Sequence, residues 1–177
     1  MVRSDQLRGR TGHANVYGIP DAWRSYNHSL RLLDNNDSEA FRLNQIAAQN
    51  GMHDAVLAMG WFYLNGVGVK ADKEEAIRWY RKSARQGDER AMFSLGQIAY
   101  IARDYSEALL WFKRAADKGH CRSDFWIGKL YWRGQGVAQD RQVAHKHFVR
   151  ASAEKLIEAQ RVIRYLAFLA RLKSSER

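Results

Sequence analysis

The residues with the best claim to chemistry are six histidines, one cysteine and a glycine-rich turn. His145 and His147 are one residue apart on a helical stretch, so their rings point in different directions and suit no shared metal. His120 and Cys121 adjoin, but no second cysteine completes a usual zinc set. Asp124 lies one turn beyond His120 and is placed to hydrogen-bond it, yet no Ser or Cys nucleophile arrangement accompanies the pair. His13, His28 and His53 stand apart. Gly66-Val67-Gly68-Val69-Lys70 looks like a phosphate loop, but it lacks the Gly-Lys-Ser/Thr ending and a preceding strand. The expectation is a protein with no catalytic set, no metal and no cofactor, and so not an enzyme.

Charge is the other chemical signal. The chain carries a formal net charge of +10 and a pI near 9.9. That balance favours an acidic protein face, nucleic acid or anionic lipid as partner. Arg78, Arg81, Lys82, Arg85, Lys113, Arg114, Lys118, Lys146 and Arg150 recur along three stretches, but Glu74, Glu75, Glu107 and Asp117 are mixed among them. No helix-turn-helix or RNA-binding signature goes with the charge, so a solvated basic face is the simpler reading.

The elements that carry these residues are set by a repeat. Ala55, Met59, Gly60 and Tyr63 return as Ala91, Leu95, Gly96 and Ala99, and as Ser123, Ile127, Gly128 and Tyr131. A degenerate copy follows at Ala159, Ile163, Arg164 and Ala167. Spacings of three and four put these side chains on one helical face. A glycine there costs about 1 kcal/mol of helix propensity relative to alanine, so its return at one site predicts close approach of another helix. A second helix follows each first one. Ala76, Tyr80, Ser83, Ala84 and Gly87 match Ala108, Phe112, Ala115, Ala116 and Gly119, then Ala144, Phe148, Ala151 and Ser152, with Lys155 in the closing glycine's place. Upstream, Ala40, Ala47, Ala48 and Gly51 fit, with Asn44 at the aromatic site. The closing glycine suits a left-handed position just past a helix end.

Asn36, Asp72, Asp104 and Asp140 each stand four residues before the repeated alanine, as helix N-caps. Glu39, Glu75 and Glu107 follow three residues later and predict a reciprocal capping box, which Val143 breaks in the last copy. Cap, core and end signals share one period, which predicts an array of helical hairpins.

These residues, together with the Gly66-Val67-Gly68-Val69 and Gly134-Gln135-Gly136-Val137 turns, resemble the Sel-one-like repeat (SLR) family, a relative of tetratricopeptide repeats, over about residues 36–170. The middle unit departs, running Tyr100-Ile101-Ala102-Arg103 straight into Asp104. The resemblance implies an all-α fold, a right-handed α-α superhelix (solenoid) of helix-turn-helix repeats. It also implies that first helices line a concave groove. The groove residues would be Leu57, Trp61, Leu64 and Asn65; Phe93, Gln97, Tyr100 and Ile101; Phe125, Lys129, Trp132 and Arg133, with Arg90 and Arg122 one turn earlier. An aromatic floor with a basic rim fits a partner segment bearing apolar anchors and carboxylates. Similar proteins are often bacterial adaptors, regulators, secretion-system components or immunity proteins. The expected function is a non-enzymatic protein-protein interaction module, an adaptor first and a toxin-neutralising immunity protein second. Nucleic-acid or anionic-membrane binding is the alternative from another class.

The expected organisation is an arm at 1–20 and an array at 21–173. Within the array come a degenerate hairpin at 21–51, repeats at 53–87, 89–119 and 121–155, and a capping helix at 157–173; a frayed tail at 174–177 follows. Asp21 is placed to cap the first helix, on which Trp23, Tyr26, Leu30 and Leu33 recur at helical spacing. The first residues hold no apolar stretch of a signal peptide, and no apolar run reaches the roughly 18 residues of a membrane span. The cytoplasm is therefore expected, or the periplasm if a signal has been removed. A monomer is expected, and Cys121 alone forms no internal disulfide.

Overall fold

The computed structural model describes the backbone of residues 19–33 and 36–175, and side chains within 25–33 and 36–168. Most of the predicted arm, the side chains of Asp21, Trp23, Leu169 and Leu172, and residues 176–177 lie outside that description. Nine helices and no strand occur among the described residues: α1 (Ile19–Leu32), α2 (Asp37–Gln49), α3 (His53–Asn65), α4 (Lys73–Arg85), α5 (Glu89–Ile101), α6 (Tyr105–Asp117), α7 (Cys121–Arg133), α8 (Arg141–Ala153) and α9 (Ile157–Ser175). Each packs chiefly on the helix before and the helix after it, the nearest-neighbour pattern of a helical-repeat solenoid.

The recurring glycine and the recurring aromatic turn out to be two halves of one joint. A Cβ built on Gly60 would lie 2.6 Å from the Tyr80 ring, one on Gly96 2.6 Å from Phe112, and one on Gly128 2.7 Å from Phe148. In each hairpin the second helix lays its ring directly on the first helix's backbone. Buried alanines at 55, 76, 91, 108 and 144 allow that approach. The core runs along these joints from α4 to α7, with a second cluster around Tyr26, Ala47, Val56 and Met59.

The caps are as expected on one side only. Side chains of Asn36, Asp72, Asp104 and Asp140 accept from the backbone N–H of Glu39, Glu75, Glu107 and Val143. The glutamates do not return the bond. The Asn36 N–H goes to Leu32 O, Asp72 N–H to Tyr63 O, and Asp104 N–H to Ala99 O, so a carbonyl of the preceding helix already takes it. The freed carboxylates bind along their own helices instead: Glu39 to Arg42, Glu75 to Arg78, and Glu107 to the Trp111 indole at 2.6 Å. Tyr63 and Ala99 are equivalent repeat positions, as is Tyr131, which accepts from Asp140. The short middle turn therefore regains the same anchor, with Arg103 in the left-handed region at φ 63°. In the long turns, the second glycine packs on the second helix of the preceding hairpin: Gly68 against the Asp37 carbonyl, Gly136 against the Tyr105–Ser106 backbone. No side chain fits there.

Two ends differ from expectation. α1 starts at Ile19, so Asp21 is inside the helix and not its cap; Pro20 is tolerated because a first-turn N–H has no intrahelical acceptor. α9 runs to Ser175, since neither Gly nor Pro stops it.

Gly87 closes α4 at φ 90° with open space around a would-be Cβ, so backbone conformation alone selects glycine there. Lys155 holds the same repeat position at φ 61°. Lys155→Gly should therefore stabilise the fold by about 0.5–1 kcal/mol, as left-handed strain is relieved and partly offset by backbone entropy. Urea unfolding reads the change, and a lower midpoint would contradict it.

Candidate partner-binding face

The first helices α3, α5, α7 and α9 carry equivalent side chains one, four and five residues after the repeat glycine, or after Arg164 on α9. The members are Trp61, Leu64 and Asn65; Gln97, Tyr100 and Ile101; Lys129, Trp132 and Arg133; Tyr165 and Phe168. Among the described residues, most exposed large apolar side chains fall at these offsets, with Trp61 43% exposed, Leu64 38%, Ile101 78%, Tyr165 60% and Phe168 56%; Leu110, Val149 and Ile157 lie elsewhere. Neighbouring first helices meet on this side through Arg90 to Asp54 at 2.7 Å and Arg133 to the Tyr100 hydroxyl at 3.5 Å.

Not all the sequence-predicted groove residues stay on that face. Phe93 is buried, 9% exposed, stacked on His120 at 4.2 Å and tilted against Phe112 at 5.6 Å. Leu57 and Phe125 are half-buried, Leu57 on the main core and Phe125 on Phe148 at 5.8 Å. The offset they share, three before the glycine, belongs to the core, where Phe93 and Phe125 meet the ring of their own hairpin's second helix. Arg90 is no open rim cation: Asp88 and Asp54 both bind it, and those hydrogen bonds, the one to Asp88 foremost, hold its pKa well above the usual arginine range. Asn65 is spent on Trp61 O at 2.8 Å. Arg122 is exposed and Gln97 half-buried. Trp132 is half-buried, its carbonyl accepting from Gln139 and its ring lying 5.4 Å from the Arg141 guanidinium.

Around Lys129 the face becomes a basic aromatic corner. Its ammonium lies 4.0 Å from the Trp126 ring centre, 5.4 Å from Tyr100 and 5.9 Å from Phe125. Desolvation, reinforced by the Arg133 charge, lowers its pKa. Trp126 itself stacks on Phe112 and meets Tyr100 edge-on at 4.8 Å, which fixes the corner to the core.

Sequence reading had passed over Trp126, Tyr165 and Phe168. The fourth, degenerate copy contained the signal: counting one and four residues from Arg164 lands on Tyr165 and Phe168. Treating α9 as a cap hid it, because a cap should present a polar outer face.

The chemistry-bearing residues fall elsewhere. His120 does not bond Asp124. Its Nδ1 lies 3.0 Å from the Ser123 hydroxyl, and burial lowers its pKa. Asp124 is buried and takes His147 Nδ1 at 2.7 Å and Arg150 at 3.5 Å, bracing α7 against α8. No cluster able to hold a metal occurs among the described residues. The glycine turn is edged by Tyr63, Lys70, Asp72, Lys73 and Glu74, a lining of balanced charge with no preceding strand. On the second-helix side several cations are engaged: Arg78 with Glu75, Arg150 with Asp124, Lys113 with Tyr131, and Lys82 and Arg114 over Trp79 and Trp111. Among the described residues, no helix is long and apolar enough to cross a membrane.

Comparison with known proteins agrees with this architecture. The Sel1 repeat family model matches residues 24–52, 53–88, 90–120 and 122–155, taking in the α1–α2 hairpin as a copy. The chain is 35% identical over 68 residues to the chitin synthase regulator SKT5 of Malassezia restricta, covering 38% of this chain and 5% of that protein. It is 33% identical over 71 residues to the ERAD-associated E3 ubiquitin-protein ligase component HRD3A of Arabidopsis thaliana, covering 40% of this chain and 10% of that protein. A solved Sel1 repeat protein from Oxalobacter formigenes superposes with a TM-score of 0.70 at 28% identity, over 80% of this chain and 59% of the other. The chain thus spans a small fraction of these curated relatives and under two thirds of that structure.

Proposed function

This chain belongs to the Sel1 repeat family, a protein-interaction scaffold, and from that premise we propose that it is a non-catalytic module gripping a partner protein's segment across its first helices. One observation carries the reading: exposed Trp61, Leu64, Ile101, Tyr165 and Phe168 fall at three equivalent offsets on α3, α5 and α9. Apolar side chains scattered singly need no explanation, but a register that recurs through the array does. Aromatic anchors of this kind supply most of the energy in protein interfaces. An adaptor or regulator role follows. Toxin neutralisation is a narrower form of it, requiring a stoichiometric complex and growth rescue on co-expression. The basic second-helix side does not favour nucleic acid, since its cations are partly spent on their own acids and rings.

The test is quantitative cross-linked co-purification from the protein's own cells. Trp61→Ala/Phe168→Ala should lose the bound partner at least about tenfold, the usual weight of two anchor residues, with its melting temperature kept. Equal recovery with both chains would place the interface elsewhere.

A further inference from the structure

We infer that Lys129, Arg133 and the Tyr100 hydroxyl form a receptor for an Asp or Glu side chain within the bound segment; this rests on the binding reading above and specifies its chemistry. Lys129 and Arg133 lie one turn apart on α7, an arrangement that destabilises a helix through like-charge repulsion. Among the described residues neither has a carboxylate within 4 Å, whereas Arg90 on the neighbouring α5 has two. Three rings press on the Lys129 ammonium and strip part of its water. A ring face offsets that loss but accepts none of its N–H donors properly. Arg133 reaches the Tyr100 oxygen only at 3.5 Å, which leaves most of its fork, and the phenol proton, without a strong partner.

An ammonium, a guanidinium fork and a phenol thus converge from α5 and α7 with no anion among them. A single carboxylate satisfies all three: bidentate to the guanidinium, with the ammonium and phenol donating to its outer lone pairs. Its charge also removes the repulsion between the two cations. The carboxylate is a side chain rather than a chain end because apolar anchors continue on both sides, Trp61, Leu64 and Ile101 on one and Tyr165 and Phe168 on the other. The segment therefore passes through. Helices pack about 8–10 Å apart, so α3 to α9 spans roughly 30 Å, or about nine extended residues. One step from α7 to α9 places an apolar residue about three positions from the acid.

A phage-displayed random decapeptide library, whose peptides have no free C-terminal carboxylate, is selected on the whole chain. Enriched peptides are then made with amidated ends. The expected result is an Asp or Glu with apolar residues about three positions to one side and farther off on the other. Changing that Glu to Gln, or the protein to Lys129→Met/Arg133→Gln, should weaken binding at least about tenfold, the worth of a charge-assisted pair. Arg133→Glu, at an exposed position where the fold is safe, should reject the same peptide. Peptides lost on Trp61→Ala/Phe168→Ala but indifferent to both α7 variants would keep the binding face and overturn the receptor. Peptides indifferent to every variant, or no enrichment, would overturn both. Competition by inorganic phosphate at concentrations where acetate has no effect would reassign the corner to phosphate and overturn the carboxylate.

Discussion

Gly96→Ala should destabilise the fold by about 2 kcal/mol, although alanine is the better helix former by about 1 kcal/mol. The added methyl would sit 2.6 Å from two ring carbons of Phe112, where ordinary contact needs nearly an ångström more. The ring has nowhere to retreat. Phe112 is fully buried, with Phe93 5.6 Å away and Trp126 stacked at 5.6 Å. The α5–α6 joint must open, and that opening is shared with α7 through Trp126. A chain of this size should melt roughly 4–8 °C lower. Phe112→Leu makes room for the methyl while costing a cavity of its own, so the double variant should lose clearly less than the sum of the singles. Urea titration of the four proteins measures the coupling. A Gly96→Ala chain as stable as the parent would mean that the contact costs no more than the roughly 1 kcal/mol alanine gains in propensity, and that the ring can retreat.

What the sequence discloses is whatever recurs. Gly60, Gly96 and Gly128 each cost helix stability, and a cost repeated at one register points to contact before any contact is seen. The Asp caps and the left-handed closing glycines are legible for the same reason, since each answers a local need of the backbone. Features that depend on a neighbour's choice are not. Glu75 follows Asp72 at capping-box spacing, yet the Tyr63 carbonyl has already taken the Asp72 N–H. Only the path of the preceding turn decides that. Phe93 and Trp61 look alike as aromatics on first helices, but Phe93 turns into the core against Phe112 and His120 while Trp61 stays on the exposed face. The Asp124–His147 brace joins helices whose facing angle no spacing within either helix reveals. Likewise a capping helix at 157–173 is expected to end the array, while Tyr165 and Phe168 continue the exposed row.

Raising the pH past 10 should destabilise this protein, and replacing one tyrosine should blunt the loss. Burial pushes the Tyr80 hydroxyl from 10.0 up to about 12, with the Ser94 hydroxyl opposing, and burial aided by the Asp54 charge does the same to Tyr26. Below pH 10 each phenol is neutral folded or unfolded and the shift has no consequence. Between pH 10 and 12 the unfolded chain releases these protons and the folded chain holds them. Stability then falls by about 1.4 kcal/mol per pH unit per tyrosine, and levels off above 12. The two together remove about 5 kcal/mol by pH 12, comparable to the whole stability of many domains. Tyr80→Phe isolates one share. Phe112 and Phe148 occupy the same register in the next two hairpins, so the ring fits. At pH 8 the variant should lose about 1 kcal/mol or less, the worth of one hydrogen bond. By pH 11 the gap should close or reverse, the variant being spared a loss on the order of 1 kcal/mol. Urea midpoints for both chains at pH 8, 10 and 11 decide it. Parallel lines would show that the phenol at 80 ionises as freely inside the fold as outside it, and that the joint on Gly60 is open to water.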